Sequence, residues 1–184
     1  MKVEHLKWVL VGVVIAVFVP WWAVVYSRES SSQEVLETAT AFAKPRVKIK
    51  FSKTIQWDPQ SFLGRGRKAG FWDWSPKGVV LTPKGQNLFV DDESDISGEL
   101  VAGERKITTI KSVQPRGAER EVLFLFSWTE LTDMTKLLNA PPVIGKEYQA
   151  VARLAEEGGV WKLKSLSTPE FSTSLDVLAT ETKR

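Results

Sequence analysis

Hydrophobic and polar positions are unevenly distributed along this chain. Trp8 to Tyr26 (WVLVGVVIAVFVPWWAVVY) is a run of nineteen residues without a charge, whereas everything after it mixes apolar and charged positions at short spacing. As a helix the run extends roughly 28 Å, close to the thickness of a bilayer's hydrocarbon core. Val, Leu, Ile and Phe fill eleven of its positions, each favouring insertion by roughly 0.3–0.6 kcal/mol. Trp8 at one end and Trp21, Trp22 and Tyr26 at the other occupy the two headgroup levels, where amphipathic rings concentrate. The pattern predicts one transmembrane helix over 8–26, preceded by a short flank, 1–7. The run is longer than the apolar segment of a cleaved signal peptide, and no small-x-small site follows it, so it reads as a retained anchor.

Within the run, Pro20 removes one backbone hydrogen bond and predicts a kink. Gly12 and Ala16, four residues apart, share a face that lets a second helix approach closely. Gly12, Ala16 and Pro20 are therefore the candidate helix-packing residues. Lys2 and Lys7 precede the run, against Arg28 alone in the seventeen residues after it. That bias puts the N-terminus in the cytoplasm and the C-terminal domain outside it, in the periplasm for a bacterial inner membrane.

Past the anchor the apolar spacing shortens. Arg28 to Ser32 reads as a polar hinge, and Ser31 with Glu34 has the spacing of a capping box. A juxtamembrane helix over Gln33–Ala43 follows, ended by Pro45, and completes a segment at 27–45. Val47, Ile49 and Phe51 alternate with Lys48 and Lys50, a half-buried strand that Ile55 and Trp57 extend as far as Asp58-Pro59. Thr82-Pro83 is an N-cap and first-turn pair for a helix containing Leu88 and Phe89. Ile107–Lys111 and Glu121–Trp128 form a hairpin about Arg116-Gly117, and the unbroken apolar stretch Val122–Phe126 predicts a strand covered on both faces. Leu131–Leu138 reads as a short helix or lid. A second hairpin joins Tyr148–Leu154 to Val160–Leu166 across Glu156-Glu157-Gly158-Gly159.

The 158 residues beyond the span suffice for one domain with a single core. The expected fold class is α+β: a soluble domain over 46–171 with a mainly antiparallel, meander-like sheet and a few short helices, then a polar tail, 172–184. The closing Glu-Glu-Gly-Gly-Val-Trp-Lys-Leu, residues 156–163, behind an aliphatic strand is similar to the end of the cone-shaped roll of the nuclear-transport-factor-2-like (NTF2-like) or cystatin-like folds. The resemblance covers the C-terminal part of the chain and implies a curved sheet wrapped on helices. Such rolls host enzymes and binding modules alike.

Candidate chemistry is sparse. There is no cysteine, which excludes disulfides, thiolate metal sites and a cysteine nucleophile. The single histidine, His5, precedes the span. Gly64-Arg65-Gly66-Arg67-Lys68-Ala69-Gly70 misses the G-x-G-x-x-G spacing, and no Lys-Ser or Lys-Thr follows as a P-loop requires. It reads as a flexible surface loop, with contact between Arg65, Arg67 and Lys68 and anionic lipid headgroups as the alternative. In Phe71-Trp72-Asp73-Trp74, the two Trp share a strand face opposite Phe71. The cluster reads as core with one ring exposed, or as a docking anchor for a partner protein. Asp91-Asp92-Glu93-Ser94-Asp95 has Ile96 where a calcium loop needs glycine, so it reads as a solvated acidic turn. Nothing singles out Glu99, Glu121 or Glu130 as a tuned acid. The net charge of +3 is dispersed rather than clustered, which argues against nucleic acid.

No cofactor or metal is expected. The partners expected are the lipid bilayer and other membrane protein subunits. The function expected is that of a non-catalytic, single-pass accessory subunit that binds and stabilises a larger membrane complex, whether respiratory, photosynthetic or transport. A membrane-tethered ligand- or lipid-binding module is the alternative, and an enzyme ranks last.

Overall fold

The computed structural model describes residues 24, 26–55, 58–59 and 61–169. The span over 8–26 lies outside these residues except for Val24 and Tyr26, as do Trp57 and the tail. Among the described residues no helix is long and apolar enough to cross a membrane.

Residues 26–38 form one continuous helix, α1. The hinge expected at Arg28–Ser32 and the helix start expected at Ser31 are therefore corrected. Instead of capping Glu34, the Ser31 hydroxyl donates to the Arg28 carbonyl at 3.1 Å, and the Thr38 hydroxyl donates to the Glu34 carbonyl at 2.9 Å. Both are back-bonds within a helix already under way. The helix stops at Ala39, which is extended, and resumes for one turn as α2, Thr40–Ala43; Lys44 then leaves the helical region ahead of Pro45, as the sequence predicts. Ser32, Leu36 and Phe42 are fully buried.

The chain continues through β1 (Arg46–Ser52), α3 (Phe62–Lys68), β2 (Trp72–Ser75), β3 (Gly78–Leu81), α4 (Pro83–Gln86), β4 (Val90–Asp91), β5 (Asp95–Val101), β6 (Gly103–Arg116), β7 (Glu119–Leu131), a 3-10 turn at Asp133–Leu137, β8 (Glu147–Glu157) and β9 (Val160–Ser167). The fold is α+β with antiparallel sheets and short helices. β1, β5 and β4 form one sheet in that order, β2 and β3 a hairpin, and β6 to β9 a four-stranded meander in sequence order. β1 buries Val47, Ile49 and Phe51 and exposes the residues between, as its alternation requires, but it ends at Ser52 without reaching Ile55. Thr82 accepts from the Gly85 N–H at 3.1 Å and starts α4 as expected. That helix is one turn long, however, and leaves Leu88 and Phe89 beyond its end.

In the meander, Val122, Phe124, Phe126 and Trp128 are fully buried, whereas Leu123 and Leu125 are half-buried. The expectation of a strand covered on both faces is corrected: α1 and α2 cover one face. The Phe42 ring of α2 meets Phe124 and Phe126 edge-on at 5.4 and 5.7 Å between centroids. Both hairpin turns, at Gly117 and at Gly158-Gly159, lie at one end of the sheet, because Glu119 of β7 pairs with Ala155 of β8. α1 enters at that end, where Ser31 meets Arg120, and runs toward the other. The thirteen residues of β7 separate the two ends by roughly 40 Å.

Candidate functional site

At the end of β7 away from the turns, the glycine-rich segment is not the flexible loop the sequence suggests. It is α3, capped by Ser61, whose hydroxyl accepts from the Leu63 N–H at 3.2 Å. Gly64 and Gly66 are buried. A Cβ on Gly66 would overlap the Trp72 indole, and one on Gly64 would overlap the Pro59 carbonyl. These glycines serve close approach, and the packing they allow overrides their poor helix propensity. The Trp72 Nε1–H donates to the Leu63 carbonyl at 2.8 Å. Its ring lies 5.1 Å from Phe51 and 5.4 Å from Phe89. Phe71 and Trp72 are thus core, and Trp74, 37% exposed, is the ring of the cluster that reaches the surface. The β2–β3 register places Trp72 and Trp74 on one face, as expected, but Phe71 precedes the strand and packs beside Trp72, with ring centroids 6.0 Å apart, rather than opposite it.

The basic residues of α3 have local partners. Arg65 Nε donates to the Leu137 carbonyl at 2.7 Å, and Arg67 Nε lies 2.8 Å from Asp73 Oδ1; Lys68 is exposed. Because α3 packs on the 3-10 turn after β7, all three lie at the end opposite the entry of α1. The acidic turn is matched by lysines of β1 and the residue following it: Lys53 to Asp91 at 2.5 Å and Lys50 to Asp95 at 3.2 Å. Among the described residues no group of three or more His, Cys, Asp or Glu could hold a metal ion.

Among the described residues, clefts open on either side of the meander, and a larger and a smaller one bear on the site. The larger, about 540 Å³, is lined by Thr40, Ala41, Lys44, Arg46, Glu99, Arg105 and Leu166, among others. Arg105 is 6% exposed and stacks 5.1 Å from the Phe126 centroid and 4.5 Å from that of Trp128. Lys44 pairs with Glu104 at 2.6 Å, and Arg46 approaches Glu99 at 4.0 Å. The cleft thus brings Lys44, Arg46 and Arg105 together with one carboxylate, Glu99, and the Leu166 side chain.

The smaller cleft, about 170 Å³, lies at the turn end. Arg28, Val113, Pro115, Gly117, Glu119, Arg120 and Trp161 line it. The Arg120 guanidinium stacks 3.8 Å from the Trp161 centroid and donates to the Ser31 hydroxyl at 3.0 Å. Burial, then the neighbouring Arg28, draw Arg120 below the usual arginine range. The sequence reading missed both Arg105 and Arg120. The available signal was parity, since Arg105 falls on the same strand face as Ile107, and Arg120 on the same face as Val122.

Ionisation elsewhere follows surface ion pairs. Hydrogen bonds from Lys136 and Lys84 hold Asp133 at about 2, Lys164 lowers Glu119, and Glu104 raises Lys44. Each of these shifts secures the charge the group already carries at neutral pH. An acid or base tuned for proton transfer near neutrality would be shifted the other way. No protein-family model, curated protein or solved structure matches this chain.

Proposed function

We propose that this protein is a non-catalytic, single-pass accessory subunit that binds and stabilises a larger membrane protein complex. Its apolar run would cross the membrane with the N-terminus in the cytoplasm, the Gly12–Ala16 face would pack on a neighbouring helix, and the domain would stand outside the cytoplasm. The meander over α1 and α2 is read as a roll of the NTF2-like or cystatin-like kind, used for binding. One observation carries the proposal: α1 runs without a break from Tyr26 to Thr38 and buries Ser32 and Leu36 in the domain core. An anchor joined through such a helix fixes the domain's orientation, which suits a subunit seated among others. A module that captures ligands needs no more than a loose tether. Trp74, 37% exposed, is the ring of the aromatic cluster that reaches the surface, where it would meet a partner.

A second reading, a membrane-tethered ligand- or lipid-binding module, is favoured by the cleft over Arg105. Mild-detergent extraction from the native membrane, followed by size analysis and mass spectrometry, separates the two. Stoichiometric partner subunits are expected. A monodisperse monomer carrying a lipid would overturn the first reading in favour of the second.

A further inference from the structure

We infer that the turn end of the meander is a seat for anionic phospholipid headgroups, with Arg28 and Arg120 as its cations and Trp161 and Val160 as its interfacial contacts. The inference rests on the anchored reading above and gives the domain a defined membrane-facing surface.

The first support is continuity. The apolar run ends at Tyr26, two residues before Arg28. Arg28 lines the same cleft as Gly117, Arg120 and Trp161. A bilayer that holds residues 8–26 therefore brings its headgroup level to this end of the sheet. The second is charge. Of the carboxylates at this end, Glu121 is shared by Arg116 at 3.1 Å and Arg153 at 3.7 Å, Glu157 pairs with Lys162 at 2.9 Å, and Glu119 pairs with Lys164. Arg28 and Arg120 line one cleft with Glu119, the carboxylate that Lys164 engages, and two guanidinium groups held in one cleft favour a phosphate between them. The third is the character of the surface. Val160 is 59% exposed beside Trp161, the ring-and-aliphatic composition found at headgroup depth. A Cβ built on Gly117, Gly158 or Gly159 would meet nothing within 4 Å, so these turns project into open space. The basic residues of α3 cannot substitute, because the length of β7 separates them from this end.

The test uses the full chain in phospholipid nanodiscs. With no native cysteine, a nitroxide can be placed at Ala118→Cys in the first turn or at Lys77→Cys in the β2–β3 turn, and its relaxation by a nickel-chelating lipid headgroup measured. Relaxation is expected to be strong at 118 and weak at 77. In discs containing phosphatidylglycerol, the preference of the extracted chain for that lipid over phosphatidylcholine, counted by native mass spectrometry, is expected to fall roughly fivefold in Arg28→Gln. Arg28 is exposed, so this variant spares the core, and circular dichroism checks its fold. A chain that stays in the discs through an alkaline wash, yet shows no greater relaxation at 118 than at 77, overturns the inference and leaves the anchor standing. Equal retention of the two lipids by wild type and Arg28→Gln overturns the assignment of the cations. Loss of the chain from the discs overturns the anchored reading itself, and the inference with it.

Discussion

The meander and the α3–β2–β3 region are both densely packed, but they achieve this differently. In the meander, strand parity decides: Val122, Phe124, Phe126 and Trp128 point to α1 and α2, and the residues between them do not. In the α3 region, backbone proximity decides. Gly64, Gly66 and Gly85 leave room where any side chain would collide with Pro59, Trp72 or Phe71, and five aromatic rings, Phe51, Phe62, Phe71, Trp72 and Phe89, fill the space so defined. A periodic pattern can thus be changed one face at a time. A close approach tolerates no addition at its contact point.

Unfolding measurements on the full chain in detergent can break this comparison. Trp72→Ala removes the ring on which the α3 region converges and is expected to cost about 3–5 kcal/mol in a urea titration; a loss below 1 would remove Trp72 from the core. Gly66→Ala is expected to destabilise by about 1–3 kcal/mol through overpacking, where helix propensity alone would give a gain of about 1; the sign decides between packing and propensity. In the meander, Leu123→Ala on the half-buried face is expected to cost less than half of what Phe124→Ala costs, and equal losses would mean that both faces are covered. Thr82→Ala removes the cap of α4 and is expected to cost about 1 kcal/mol.

The smallest effect is set by pH. The Asp133 carboxyl is held at about 2, below its ordinary 3.8, so the stability it contributes is present above pH 3.8 and is lost as pH falls through 2. Asp133→Asn is expected to lower stability at neutral pH by under about 1 kcal/mol, because the group is exposed. The gap between wild type and variant should narrow from pH 3.8 and close below pH 2, and a gap undiminished there would mean that Asp133 acts through something other than its charge.

Sequence alone disclosed the meander well. Alternation and the glycine turns at Gly117 and Gly158-Gly159 identified both hairpins, and Pro45 the end of α2. It misread α3, because glycine and basic residues in a row resemble a loop unless one knows that Trp72 lies against them. It misread α1 for a related reason: Ser31 and Glu34 have capping spacing, but a helix already established upstream turned the serine hydroxyl back to Arg28. The turn-end cleft was invisible, since Arg28, Arg120 and Trp161 come from three distant segments that the fold brings together.

The proposed role rests on α1 carrying span and domain as one body, and a distance measurement tests this directly. Nitroxides at Phe18→Cys in the apolar run and Lys111→Cys on β6, in nanodiscs, should give a single narrow distribution of distances by pulsed dipolar spectroscopy. A broad or multimodal distribution would mean that the domain swings on its tether, and would contradict the account.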